Sequence, residues 1–466
     1  MTQSLESVFA PRAVAVVGAS SNPAAIGGQV LRFLRRAGHL RRVYPVNPAH
    51  AEIDGSRCYP TVDAIPDAEI DLVVIAVAAE RVPDVVEDCG RRGVRFAIVL
   101  SAGFEEAGAQ GKKHAARLAK AAHDAGVRII GPNCQGLMSV PDGLRAGFGG
   151  VFDLPIFRDG GVSIVSQSGG LGYPLTHILG RADIGLRYIV STGNENDLGA
   201  LDILEHYVAD PGTRIIATYL EGVDDLARLE RVARSADAAG KPLIVWKVGR
   251  SGRGARAAAA HTGSVVGDDA EYRAIFARTN VISVGEVADL VDFIKVLDAP
   301  AQPQGQRIGM LTVSGGAGIL FADACEDAGL MLPDLEQATT EHLRQLAPPF
   351  ASLLNPVDVT AQVFNRPELL AECLAHICAD PNIDSVVVFV ASMMGPMAMG
   401  MAQTVAHQTS LTTKPIYVIW TAAPAEALDA REHLTGRRIP VFEDPVRCAR
   451  AISMSLIHHE QCESRS

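Results

Sequence analysis

Apolar, β-rich runs alternate with stretches of helical periodicity along nearly the whole chain. The first strand-like runs are Ala13–Gly18, Val43–Asn47, Leu72–Ala76, Ala97–Leu100 and Arg128–Gly131, with helical segments such as Gln29–Ala37, Val82–Cys89 and Lys112–Ala125 among them. Continuously apolar strands separated by helices predict a parallel sheet covered on both faces. The pattern restarts at Gly161–Ser166 and continues through Arg187–Ser191, Ile215–Leu220 and Leu243–Val248. A third series begins at Arg307–Val313 and runs through Ser385–Val390 and Ile416–Trp420, preceded by a proline- and glutamine-rich linker, Ala299–Gln306. The expected organisation is three α/β domains: 1–142, 143–298 and 306–466.

Composition narrows the class. The 466 residues exceed one ordinary core, and 48% hydrophobic with 20% charged residues indicates packed globular structure. A net charge of -11 argues against nucleic acid or an anionic membrane as partner. No apolar run approaches the roughly 20 residues that span a bilayer, and no signal-peptide core opens the chain, so a cytoplasmic protein is expected. The 8 cysteines are scattered without metal-ligand spacing and read as reduced thiols. No metal site is expected in this chain.

Three glycine turns follow the first strand of each domain. Gly18-Ala19-Ser20-Ser21-Asn22-Pro23 precedes Gly27-Gly28 and a helix, which reads as a nucleotide-binding turn where backbone N–H groups approach a phosphate. It is not a full dinucleotide fingerprint: Ser20 replaces the second glycine, and the second strand ends at Asn47 without a ribose-binding acid. That counts against a nicotinamide-dependent oxidoreductase. Ser166-Gln167-Ser168-Gly169-Gly170 and Ser314-Gly315-Gly316-Ala317-Gly318 repeat the device. Such termini favour an anion by about 0.3–1 kcal/mol, although small residues there also simply permit close strand–helix packing. A serine-hydrolase elbow at Ser168 is disfavoured, because Ser166 stands in place of the first glycine.

The candidate chemistry centres on His261. It lies between the glycine-rich basic run Gly249–Gly254 and Thr262-Gly263-Ser264, a segment that reads as a loop, with an alanine-rich helix over 255–260 as the other reading. A neutral imidazole can attack phosphorus and carry a phosphoryl group between two places. Glu221, in Tyr219-Leu220-Glu221-Gly222 at a strand end, is the candidate partner that would fix the imidazole tautomer.

These motifs occur in order together with Ser101-Ala102-Gly103-Phe104, Gly131-Pro132-Asn133-Cys134 and Asn355-Pro356-Val357-Asp358. With them the chain resembles the nucleoside-diphosphate-forming acyl-CoA synthetases, the superfamily of succinyl-CoA synthetase, over practically its whole length. The resemblance implies a Rossmann-like CoA-binding domain followed by two flavodoxin-like CoA-ligase domains. It implies coenzyme A as substrate, a small carboxylate or acyl-CoA as the second reactant, and passage through an acyl phosphate. On it, His261 is the phosphorylated histidine and Glu221 its stabilising glutamate. Ser168, Gly169, Gly170, Gly315 and Gly316 would hold phosphate, and Gly18, Ser20 and Asn133 lie on the CoA-domain motifs.

The chain departs from the family pattern in places. Ala76-Val77-Ala78-Ala79 lacks a proline often found there, Ala49 follows Asn47-Pro48 where a basic residue is common, and Ser314 replaces a frequent asparagine. The first two bear on the grip on CoA. No segment resembles an ATP-grasp module, so ATP/ADP and Mg are expected on a separate β subunit in a homo- or hetero-oligomer. The rival reading is a non-catalytic CoA- or acyl-CoA-binding regulator of the same fold; His261 and Glu221 argue against it, because a binding module has no need for a phosphorylatable loop.

Overall fold

A computed structural model describes residues 4–36, 42–66, 69–154, 157–256, 267–361, 366–421 and 424–463. The chain forms two compact units, Met1–Arg181 with Gly185–Gly285, and Ala182–Ile184 with Glu286–Ser466.

The first unit holds two large sheets, besides a two-stranded one that pairs Glu52–Ile53 with Ser56–Arg57. Strands β1 (Ala13–Val17), β2 (Arg42–Val46), β3 (Leu72–Ile75), β4 (Phe96–Val99) and β5 (Arg128–Ile130) form an all-parallel sheet in the order β2-β1-β3-β4-β5. β1, β3 and β4 are buried at every residue, which is why they read as unbroken apolar runs. A hairpin, β6 (Gly136–Ser139) and β7 (Leu144–Gly147), comes next, then β8 (Asp159–Ser166), β9 (Leu186–Ser191), β10 (Ile215–Leu220), β11 (Leu243–Lys247) and β12 (Ile282–Ser283). Their order is β12-β11-β10-β8-β9-β6-β7, parallel except that β6 pairs antiparallel with both β7 and β9, with Tyr188 opposite Ser139. The hairpin turns across the residue-142 boundary drawn from the sequence. Its turn at Pro141-Asp142-Gly143 uses a positive φ of 60° at Gly143. Only pairing with β9, remote in sequence, assigns this hairpin to the second sheet.

The two sheets share buried surface. Phe9, from the short N-terminal helix Glu6–Phe9, stacks on His206 at 4.6 Å and lies 4.3 Å from Tyr188. Arg32 of the helix Ile26–Arg36 pairs with Asp153 at 3.0 Å.

The second unit contains β13 (Ile308–Thr312), β14 (Val357–Asp358), β15 (Ser385–Phe389), β16 (Ile416–Ile419) and β17 (Val441–Phe442), all parallel in the order β14-β13-β15-β16-β17. The helix Val287–Leu297, inside the range 143–298, packs here against Pro445–Glu463. Arg447 donates to both Asp292 oxygens, at 2.5 and 2.8 Å, and Arg450 pairs with Asp289.

Each of the three large sheets reverses its strand order beside its first parallel strand: between β1 and β3, between β8 and β10, and between β13 and β15. Ligands of open α/β sheets bind outside the carboxyl ends of the strands at such switch points. The three glycine turns stand there. Among the described residues no helix is long and apolar enough to cross a membrane.

Candidate functional site

The first turn is built by backbone crowding. Gly18 has φ +86°, and a Cβ there would lie 2.3 Å from the carbonyl oxygen of Ala76, at the end of β3. Its N–H bonds Val46 O at 3.0 Å. Asn47, at the end of β2, donates from its amide to Ala19 O at 2.9 Å, so the residue that lacks a ribose-binding charge ties two strand ends together. Ser20 accepts the N–H of Asn22 at 3.1 Å, and the stretch from Ser21 to Ala24 is exposed. The turn is thus a tight base with an accessible rim, which suits a phosphate-bearing ligand.

The second site lies along the carboxyl edge of the second sheet. Ser166 and Tyr219 are in register on β8 and β10, and Leu220 and Lys247 on β10 and β11. The Ser168 turn, Glu221 and the chain entering Gly249 therefore leave the sheet side by side. Gln167 fastens two of them. Its side-chain oxygen accepts the N–H groups of Glu221 and Gly222 at 2.6 and 3.1 Å, and its NH2 donates to Gly222 O at 2.6 Å. From the other side the Lys247 ammonium donates to Glu221 O at 2.8 Å and to Val248 O at 2.5 Å, over the Tyr272 ring at 4.7 Å. Lys247 is 3% exposed, and burial lowers its pKa. Glu221 is 5% exposed. Burial, and next the nearby Glu221 carboxylate, push the Tyr219 hydroxyl well above its usual range.

In the Ser168 turn, a Cβ on Gly169 would strike the Gln135 side chain at 2.7 Å, whereas one on Gly170 would meet nothing closer than Ser168 Oγ at 3.8 Å. Gly169 is therefore required by packing, and Gly170 leaves an open approach to the N-terminus of the helix Gly169–Arg181. The Ser168 carbonyl accepts the Ser166 hydroxyl at 2.6 Å.

A loop after β9, Thr192–Asn196, bridges the two sheets. Asn194 and Asn196 donate backbone N–H groups to Pro132 O and Gly131 O at 2.9 and 3.0 Å. The Asn133 amide, held at φ 57°, donates to the Asn194 side-chain oxygen at 3.2 Å, and Asn194 donates to Glu106. Burial tends to raise the Glu106 carboxyl, but donors from Gly103, Asn194 and Phe104 outweigh it and hold it below its usual range. Cys134 beside them is buried, and desolvation pushes its thiol up to about 12, which removes it as a thiolate nucleophile.

In the second unit, a Cβ on Gly315 would lie 3.1 Å from an Asp358 carboxylate oxygen, while Gly316 is open. A carboxylate thus stands beside this helix N-terminus, where it competes with an anion.

Comparison with known proteins gives this geometry its context. Residues 12–139 match a CoA binding domain, 159–297 a succinyl-CoA ligase like flavodoxin domain, and 308–453 a ligase-CoA domain. The chain is 37% identical over 461 residues to the α subunit of acetate–CoA ligase [ADP-forming] I from Pyrococcus furiosus, covering 97% of this chain and 96% of that one. The chain belongs to the ADP-forming acyl-CoA ligases. A solved relative, the dinucleotide-forming acetyl-coenzyme A synthetase 1 of Ca. Korarchaeum cryptofilum in complex with phosphate and ADP, superposes with a TM-score of 0.87 at 35% identity, covering 99% of this chain and 97% of that one. Acetate–CoA ligase [ADP-forming] I of Archaeoglobus fulgidus is 35% identical over 451 residues, 97% of this chain but 63% of that longer protein.

As an ADP-forming ligase subunit, the chain is an acid–thiol ligase with coenzyme A as substrate. Of the residues singled out in the sequence, Ser168, Gly169, Gly170 and Glu221 gather on one sheet edge. Gly18 and Ser20 occupy the first switch point, Asn133 lies on the bridge between the sheets, and Gly315 and Gly316 belong to the other unit. His261 lies outside the described residues. Sequence reasoning gave no role to Gln167, Lys247 or the Thr192–Asn196 loop. The available signal was position: the polar run Asn194-Glu195-Asn196 directly follows an apolar parallel strand, at the edge where α/β chemistry collects.

Proposed function

We propose that this ligase subunit passes a phosphoryl group between an acyl phosphate and His261, with a separate ATP-grasp subunit carrying ATP/ADP and Mg in a hetero-oligomer. Acetate, or another short or aromatic carboxylic acid, is the substrate class. The carrying observation is the shared edge of β8, β10 and β11, from which the Ser168 turn, the clamped Glu221 and the chain leading toward His261 emerge together.

In the direction that consumes acyl-CoA, inorganic phosphate attacks the acyl-CoA carbonyl, the C–S bond breaks, and CoA leaves as its thiol; thioester formation is the reverse. An imidazole nitrogen of His261 then attacks phosphorus, and the P–O bond to the acyl oxygen breaks with its electron pair leaving on the carboxylate. Glu221 accepts the N–H of the other ring nitrogen and stabilises the charge that the ring gains. The backbone N–H groups following Ser168, Gly169 and Gly170 receive the phosphate. Gly18, Ser20 and Asn133 serve the CoA side. The partner's nucleotide finally takes the phosphoryl group.

The deciding experiment mixes the purified chain with acetyl phosphate and seeks an acid-labile gain of one phosphoryl group by intact and peptide mass spectrometry. Label at His261, absent from His261→Ala, is the expected result. Folded, CoA-binding protein that takes no label from acetyl phosphate or a series of acyl phosphates would remove His261 as the carrier.

A further inference from the structure

Glu195 belongs to none of the motifs that carry the family resemblance, yet it is fully engaged by donors. One carboxylate oxygen accepts the Thr192 hydroxyl at 2.6 Å and the N–H of Ala200, at the start of the helix Ala200–Ala209, at 2.9 Å. The other accepts the Gln167 NH2 at 3.0 Å. Burial pushes the Glu195 carboxyl above its usual range, and the Thr192, Gln167 and Ala200 donors oppose that shift by favouring the carboxylate. Gln167 cannot turn its amide over, because its own oxygen is taken by the N–H groups of Glu221 and Gly222. The chain of bonds therefore runs from the helix terminus through Glu195 and Gln167 to the Glu221 backbone.

The preceding residue faces the other way. Asn194 receives the Asn133 amide and reaches Glu106, whose carboxylate accepts the N–H groups of Gly103 and Phe104 at 2.6 and 3.1 Å. Two consecutive side chains thus grip two different places: the phosphoryl edge of the second sheet and the Gly103 and Asn133 loops of the first.

We propose that the Thr192–Asn196 loop is a shared mount that sets the acyl–CoA side and the phosphoryl-transfer edge in register. Glu195 is a positioning residue for Glu221, acting through Gln167, and Asn194 is a positioning residue for Asn133. The inference rests on the reading that Glu221 serves His261. It assigns a separable role to each residue: loss of Glu195 slows phosphoryl transfer, and loss of Asn194 weakens CoA.

Glu195→Gln tests it at nearly constant volume. In either orientation its new NH2 group faces a donor, at Gln167 or at Thr192 and Ala200, so the relay loses a bond. The purified chain would be phosphorylated with acetyl phosphate, and CoA affinity measured by calorimetry on the same samples. The expected result is a rate of His261 labelling at saturating acetyl phosphate lowered about tenfold, with KM and the CoA Kd changed by less than about twofold. Asn194→Ala should do the converse, raising the CoA Kd about fivefold while the saturated labelling rate holds. Gln167→Met, which removes the relay while keeping its length, carries the test if Glu195→Gln does not fold. A labelling rate within about twofold of wild type in Glu195→Gln or Gln167→Met overturns the proposal, as does a parallel fall of rate and CoA affinity in both Glu195→Gln and Asn194→Ala. A wild-type chain that takes no label fails the underlying reading instead, which the control reveals directly.

Discussion

The Gln167 side-chain oxygen accepts the Glu221 N–H at 2.6 Å, so the residue just before the Ser168 turn fixes the acid on the neighbouring strand. Lys247 holds the carbonyl of the same residue at 2.8 Å. Glu221 is therefore clamped through its backbone from both sides, and its carboxylate can be altered without releasing the clamp.

Glu221→Gln should fold normally and bind CoA as wild type. Its labelling by acetyl phosphate should slow by about a hundredfold, the scale of effect when an orienting acid or base partner is lost. Quench-flow with acid-labile phosphate counting measures this; an unchanged rate would separate Glu221 from the transfer step.

Lys247→Met removes the ammonium from two carbonyls and leaves them unpaired in a buried place. The cost of unpaired polar groups, partly offset by no longer burying a charge, is about 1–2 kcal/mol. Urea denaturation should register that loss, and His261 labelling should fall with it, because the ends of β10 and β11 lose their common anchor. Restored stability with labelling still impaired in Lys247→Arg would assign the lysine to geometry at the edge.

Gly18→Ala places a methyl group 2.3 Å from the Ala76 carbonyl position at a φ of +86°. The backbone must shift and adopt a strained conformation, costing about 2 kcal/mol or more. Calorimetry should show CoA affinity lost more steeply at Gly18→Ala than at Gly55→Ala, a positive-φ glycine with open space around it.

Asp210 supplies a pH-dependent prediction. Burial tends to raise its carboxyl, but the Arg187 guanidinium and the Thr213 hydroxyl outweigh it and bring the pKa to about 2. Arg187 donates at 2.6 and 3.0 Å, and Thr213 at 2.7 Å. A value below the ordinary carboxylate range means that this contribution is complete above that range and is lost as pH falls through about 2. Asp210→Asn should therefore be less stable than wild type by about 1–2 kcal/mol at neutral pH. The gap should persist to about pH 4 and close as pH falls toward 2, followed by denaturant titration at each pH; a constant gap would mean packing, not charge.

Much of the fold was legible because buried parallel strands write themselves as unbroken apolar runs. β1, β3, β10, β13 and β15 all lie within runs recognised from hydrophobicity, β8 starts two residues before its run, and the three glycine turns follow the first strand of each series. The short strands Ile282–Ser283, Val357–Asp358 and Val441–Phe442 were not legible, since two residues show no periodicity.

The hairpin β6–β7 was equally hidden, because its place depends on β9, more than a helix away in sequence.

The sequence by itself determined the alternation of strand and helix, the glycine turns, and the residue types able to move a phosphoryl group: local periodicity and chemical identity encode these directly. Tertiary structure alone decided that Gln167 and Lys247 converge on Glu221, that Glu195 holds Gln167, and that Asn194 reaches Asn133 and Glu106. These are hydrogen bonds between residues tens of positions apart, brought together by parallel strand register, and no local pattern records which polar side chain will find which backbone group.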